Sequence, residues 1–453
     1  DGQVLTSTGS GVGWEDAAGG VTFKAFGTSS IMVGDDATGT ISAANYNTGL
    51  GVDVFAALTS GDNNVAVGYN AGAGITTGTL NTFIGGLAGD ATTTASDNTG
   101  VGAASMGGNT TGTRNTALGS DSLKVSTEGN DNTAIGKGSL AANTTASNNT
   151  AVGKNSLTAN TTGAQNTAVG QGAGESNTTG VSLVALGRQA LEANTEGDFN
   201  TALGQRALFK NTTSDDNTAV GNQALGENTT GARNTAVGAD ALDANTTANN
   251  NTAVGRSSLG ANTTGTFNTA SGRQALLSNT TGDNNVAVGG NALYQNTTAD
   301  DNTAVGAYSL DANTTGNSNV AVGTSSLSAN TVGDRSVAVG YNALLVQNPD
   351  SNVDMYNVAV GYAAGAAVTT GTNNTLIGGL AGDAITTGGQ NVAVGIYSLS
   401  ANTDGQYNTA VGRRALFTNT GSDNNTAIGA NALYYFNVAS GNGYNTAVGK
   451  NAG

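Results

Sequence analysis

The sequence predicts an all-β fold: a parallel β-solenoid of 25 rungs with a 17-residue repeat. Three observations carry that reading. The phrase Asn-Thr-Ala-Val-Gly, with variants, begins at residue 30 and recurs every 17 residues to Ser336; it resumes at 357, 374, 391, 408 and 425, and last at Asn445. The fifth position of the repeat is Gly in all 25 copies. Gly, Asn, Thr and Val, all poor helix formers, fill most of each repeat, and 17 residues are too few for the roughly 40 of a propeller blade.

One rung reads N-T-A-V-G-x-x-A-L-x-x-N-T-T-G-x-x. Positions 1 to 4 form a short strand, and alternation puts side chains 2 and 4 on one face and 3 on the other. Position 4 is Val, Ile or Leu in every copy but Ser271, so the aliphatic core is expected at positions 2 and 4. Ala at position 3 points to a surface that admits only a small residue, and this second surface is expected to be packed as well. The invariant Gly, exemplified by Gly34, Gly68, Gly136, Gly238, Gly306, Gly395 and Gly449, marks a corner needing positive φ or a backbone approach too close for a Cβ. A small residue at 8 and Leu at 9 form a second apolar step. Core residues are therefore expected at Val152, Val237, Val254 and Val322 on the strand and at Leu242, Leu259 and Leu327 on the step. The N-T-T-G turn suits residues that tolerate local hydrogen bonding and left-handed geometry. Stacking like on like about 4.8 Å apart gives Asn ladders at positions 1 and 12 and a rod roughly 115 Å long.

Three or four apolar side chains per rung make a thin core, so an intertwined homotrimer is expected, with the position-3 face and part of the 8–9 step buried between chains. Two similar two-rung cassettes, 64–97 and 357–390, keep the apolar content by moving it. Position 9 becomes Gly72 and Gly365 while Ile75 and Val368 appear at position 12, and Leu87 and Leu380 appear at position 7 of the following rungs.

Residues 1–29 lie outside the period and read as an N-terminal linker or lead-in strand containing the only Trp, Trp14; residues 30–453 are the solenoid shaft. Asp1 is no initiator Met and Gly453 stops inside a rung, so the natural chain is expected to extend beyond both. Insertions at 345–356 and 434–444 are expected to bulge. They carry Tyr356, Tyr434, Tyr435 and Tyr444, the residues best suited to stack on a receptor or a glycan.

Composition narrows function. With no His and no Cys, imidazole or thiolate catalysis, disulfides and His or Cys metal sites are excluded. A net charge of −16 argues against nucleic acid, and no run of about 18 apolar residues would insert in a membrane. Asp at position 16 (Asp62, Asp198, Asp215, Asp283, Asp300, Asp334, Asp423) is read as turn capping rather than a Ca²⁺ or glycosidase site. The Asn-Thr-Thr sequons from Asn109 to Asn313 are read as a ladder, not as glycosylation sites. The Thr columns lack a flat ice-binding array. Lys137, Lys154, Arg188, Arg256, Arg273 and Arg413, just past the Gly corner, are read as solvent-facing. No catalytic residue, cofactor or metal is expected.

The NTAVGxxALxxNTTG rungs resemble the repeats of phage tail fibres, and the DGQVLTSTGSGVGW phrase at the N-terminus is similar to segments that recur in them. The NTAVG strand with its Gly is also similar to the NSVAIG motif in the heads of trimeric autotransporter adhesins, which are trimeric left-handed parallel β-rolls. The likeness covers residues 30–453, although those heads have about 14 residues per turn against 17 here. It implies a structural fibre shaft of a virion that projects receptor-binding elements for host attachment, with a host glycan or protein receptor and further copies of itself as partners. The alternative it implies is a bacterial surface adhesin or an extracellular filament subunit.

Overall fold

The computed structural model describes residues 6–8, 11–13, 22–24, 29–34 and 43–453 apart from 439. Two compact units divide the chain, Asp1–Asn222 and Gln223–Gly453. Trp14 and most of residues 1–29 lie outside the described residues. In that region Thr6–Thr8 pairs antiparallel with Gly11–Gly13, and Thr22–Lys24 pairs antiparallel with the first repeat strand, Ile31–Gly34.

Each unit is a parallel β-solenoid, and the described residues include no helix. In the first, strands from Ile31–Gly34 to Thr218–Val220 pair in parallel, each with the strand one rung on; in the second the same ladder runs from Thr235–Val237 to Thr446–Val448. The register is like on like: Thr133 faces Thr150, Ala134 faces Ala151 and Ile135 faces Val152. Most strands are three residues long because left-handed residues interrupt the extended backbone at positions 7, 9 and 17 of nearly every rung. Around Leu242, for example, Asp240 has φ 56°, Leu242 51° and Asn250 59°. Rung-to-rung backbone bonds nevertheless continue past the strands, as in Leu242 N–H to Ser258 C=O at 3.0 Å and Thr229 N–H to Thr246 C=O at 2.9 Å.

The interior corrects the predicted core. Position 3 points inward: Ala134, Ala236, Ala253 and Ala321 are fully buried, with Leu242, Leu259 and Leu327 from position 9 across from them. The position-4 aliphatics lie on the outer face. Val237 is 36% and Val254 40% exposed, and Val152 and Val322 are half-buried. The reason is volume. Leu at position 9 reaches across the narrow rung and leaves a methyl's space at position 3. Where position 3 grows, position 9 shrinks. Phe83 is fully buried, and a Cβ on Gly89 would lie 2.5 Å from its ring; Leu376 likewise stands against Gly382. In the cassettes it is thus Phe83 and Leu376, with Ile75, Val368 and Ile385 at position 12, that refill the core, whereas Leu87 is 40% exposed and Leu380 half-buried.

The remaining interior is polar and largely paired, the exceptions including Thr92 Oγ1, Ser105 Oγ, Ser126 Oγ and the amide oxygens of Asn109 and Asn419. Asn at positions 1 and 12 is fully buried and converges on one carbonyl: Asn166 and Asn177 both donate to the Gly180 carbonyl, at 2.8 and 3.0 Å. Each also joins a ladder to the neighbouring rung, as in Asn166 N–H to Asn149 Oδ1 at 2.9 Å and Asn177 Nδ2 to Asn160 Oδ1 at 2.8 Å. Such ladders meet the demand that buried amides be paired.

Candidate functional site

The Gly corner meets both physical requirements at once. Gly238 has φ +138°, and a Cβ there would lie 2.5 Å from the Gly255 carbonyl oxygen of the next rung. Gly68, Gly136, Gly306, Gly395 and Gly449 share the conformation, with φ between +126° and +136°, and Gly34 pairs with Gly51 at the end of its strand. This column is structural, with backbone stacked on backbone.

Position 16 caps turns. Asp215 Oδ1 accepts from Asp198 N–H at 2.8 Å, Asp300 Oδ1 from Asp283 N–H at 2.7 Å, and Asp423 Oδ1 from Gln406 N–H at 2.7 Å. Among the described residues no group of three or more carboxylates is arranged to hold a metal ion. The Thr column at position 13 is likewise occupied: Thr229 Oγ1 donates to the Thr246 carbonyl at 3.0 Å, and its neighbours repeat the bond. The sequon Asn residues are inaccessible, with Asn109 at 1% and Asn313 at 0% exposure. Lys137, Lys154, Arg188, Arg256, Arg273 and Arg413 are exposed.

The insertions are smaller excursions than the sequence suggests. In 345–356, Gln347 takes the place of a ladder Asn, donating to Asn330 Oδ1 at 3.3 Å and accepting from Asn357 Nδ2 at 2.9 Å. Pro349 and Met355 are buried, so only 350–354 stand out. Tyr356 is held at the base of this bulge, where its hydroxyl donates to Asp354 and Arg335 pairs with the same carboxylate. In the second insertion Ser422–Asp423 pairs with Gly441–Asn442, and Thr418 Oγ1 donates to the Tyr434 carbonyl at 2.8 Å.

The four Tyr do not form one site. Tyr434 and Tyr435 meet edge to face at 4.6 Å, whereas Tyr356 and Tyr444 stand in the position-17 column, five rungs apart from each other. Tyr435 is 85% and Tyr444 73% exposed. The structure adds partners that the sequence reading missed. Phe417 stacks on Tyr434 at 5.1 Å, and the Arg414 guanidinium lies 5.5 Å from Phe417 and 5.7 Å from Tyr397. Arg414 and Asn431 are at position 7 of consecutive rungs and Phe417 and Tyr434 at position 10, so two columns in phase were the available signal. An open cleft of about 360 Å³ is lined by Arg414, Asn431, Tyr434, Tyr435, Asn451 and Gly453.

Position 10 also collects most of the carboxylates whose pKa is raised, although Asp334 at position 16 is raised too. Asp243, Asp311 and Asp383 sit above the usual carboxylate range, chiefly because burial disfavours their charge. Ser328 and Ser400 hydroxyls donate to Asp311 and Asp383 and partly offset the shift. They occupy separate rungs and form no acid–base pair.

No family model matches the chain, and no curated protein matches it either.

Proposed function

We propose that the chain is a non-catalytic structural fibre segment, a virion tail-fibre shaft that self-associates as a homotrimer and carries receptor-contacting elements. The observation that supports it is the outward column of aliphatic side chains. Leu118, Ile135, Leu203, Val237, Val254, Val288, Ile377 and Ile428 are all exposed at position 4, flanked by Thr or Val at position 2. At about 4.8 Å per rung and 10 Å across, each unit leaves roughly 500 Å² of such surface. A monomer seldom leaves more than a few hundred Å² of contiguous apolar surface, so a face of this size in each unit favours a partner. The face moves relative to the sequence expectation: copies meet through positions 2 and 4, while positions 3, 8 and 9 serve each chain's own interior. Tyr356, Tyr435 and Tyr444 remain outward as contacts for a host glycan or protein receptor.

Sedimentation equilibrium of the chain tests the association. A mass three times the 44.1 kDa of one chain is expected; a 44.1 kDa species at micromolar concentration overturns it. Imaging of the source particle places the fibre on a tail or, for the adhesin and filament reading, on a cell envelope.

A further inference from the structure

We infer that the interior of the first unit binds one ordered water at a break in the position-12 ladder, where Ser126 stands in place of Asn. The site lies inside the chain's own solenoid and is independent of how copies associate. In the regular rungs the position-12 amide nitrogen donates twice. Asn160 Nδ2 reaches Asn143 Oδ1 of the rung before at 3.1 Å and the Gly163 carbonyl of its own turn at 2.9 Å. Asn177 repeats the pair with Asn160 and Gly180, at 2.8 and 3.0 Å. Ser126 has no such nitrogen, and the groups around it are left short. Asn109 Oδ1, the acceptor presented by the rung before, has no partner, and neither has Ser126 Oγ. The Gly129 carbonyl receives one side-chain donation, from Asn115 Nδ2 at 2.7 Å, where Gly180 receives two. On the following rung Asn143 Nδ2 donates to the Ala146 carbonyl at 3.1 Å, and its second N–H, turned toward Ser126 by the polarity of the ladder, meets no amide oxygen. Asn109 and Ser126 are 1% and Asn143 0% exposed, so bulk solvent does not serve them.

The geometry also provides the space. A Cβ on Gly163 or Gly180 would lie 2.6 or 2.5 Å from the Oδ1 of the position-12 Asn in its own turn. At Gly129 the three nearest atoms belong to Ala146, Asn132 and Asn143, and none to Ser126. Serine is two heavy atoms shorter than asparagine, about the difference that one water fills. A water beside Ser126 meets every group. Its two protons go to Asn109 Oδ1 and the Gly129 carbonyl, the acceptors an amide nitrogen would serve. Ser126 Oγ donates to the water and accepts from Asn143 Nδ2. Three bonds are the usual complement of a buried water. Three oxygens without a carboxylate do not suit Ca²⁺ or Mg²⁺, which take at least about six ligands. Two other breaks in the column lack the full set: Thr92 follows Ile75, which offers no acceptor, and Asn419 is followed by Phe436, which brings no hydroxyl. Only Ser126 stands between two asparagines.

The test compares the full chain with Ser126→Asn by oxygen-17 magnetic relaxation dispersion, which counts long-lived internal waters. The variant supplies the amide nitrogen and is expected to lose one such water per chain while keeping the parent's circular dichroism. A crystal structure of the full chain is expected to show an oxygen about 2.5–3.0 Å from Asn109 Oδ1, the Gly129 carbonyl and Ser126 Oγ, replaced in the variant by the amide nitrogen. The converse change, Asn262→Ser, breaks a regular ladder between Asn245 and Asn279 and is expected to gain one long-lived water. An unchanged water count in either variant overturns the inference, as does a direct bond from Ser126 Oγ to Asn109 Oδ1. A Ser126→Asn chain that unfolds overturns it as well, because the space for the amide would not be there.

Discussion

At the scale of single residues, the backbone is held in conformations that most side chains avoid. Leucine recurs at position 9 with φ near 50°, a left-handed conformation that costs on the order of 1–2 kcal/mol for a residue with a Cβ. Burial of the leucine side chain, about 1.5–3 kcal/mol, offsets it. The Gly corner has no such compensation. Gly238→Ala is expected to destabilise its rung by at least about 2 kcal/mol, because the methyl would meet the Gly255 carbonyl and φ is +138°. Gly290→Ala, where a Cβ meets nothing within 4 Å, is expected to change little or to stabilise by about 0.5 kcal/mol. Hydrogen exchange of the flanking rungs' amides reads both locally, which suits a repeat array better than one global midpoint. The position-10 acids give a pH prediction. The folded pKa of Asp311 is raised, so the folded state binds more protons than the unfolded state between the ordinary and the raised value. Stability from this group therefore rises as pH falls through that window, and its penalty is fully present above it. Asp311→Asn is expected to stabilise its rung at pH 7, read by hydrogen exchange of the flanking amides, and to lose the advantage on acidification; a constant difference across pH would refute the assignment.

At the scale of the rung, interior and exterior faces predict opposite phenotypes. Leu242→Ala removes a fully buried side chain and is expected to cost about 2–5 kcal/mol. Val254→Asp places a charge on the outer face, so the secondary structure seen by circular dichroism is expected to survive while the sedimentation mass falls toward one chain. Were position 4 the chain's own core, Val254→Asp would instead unfold it. The Asn ladder predicts a third class of effect. Asn251→Ala deprives the Asn268 N–H of its acceptor at 2.9 Å and removes one of two donors to the Gly265 carbonyl. A loss of about 1–3 kcal/mol is expected, the cost of an unmet buried group, although no apolar contact is lost.

At the scale of the whole chain, stability is a sum over rungs and their neighbour contacts. Deleting one full period, residues 251–267, brings Asn268 into the place of Asn251 and restores every ladder in register. That variant is expected to keep the parent's circular dichroism per residue. Deleting 251–258 puts aliphatic and Asn columns out of phase and is expected to unfold the adjoining rungs; equal behaviour of the two deletions would contradict register as the organising constraint.

The sequence by itself determined the period, the parallel stacking, the Gly corner and the ladders at positions 1 and 12. Each follows from one residue type recurring at one phase, as with Gly238 or Asn166, and strict recurrence leaves like-on-like stacking as the simplest solution. Only the tertiary structure decided which face is interior. Alternation tells that positions 2 and 4 oppose position 3, but not which side closes the rung, and hydrophobicity pointed to the larger side chains. The closing side is set by what comes across from it: Leu242 already fills the space, so only the methyl of Ala236 fits beneath it and Val237 turns outward. The same limit hid the cleft. Arg414 and Tyr434 are 20 residues apart, and only the closed turn brings position 7 of one rung beside position 10 of the next.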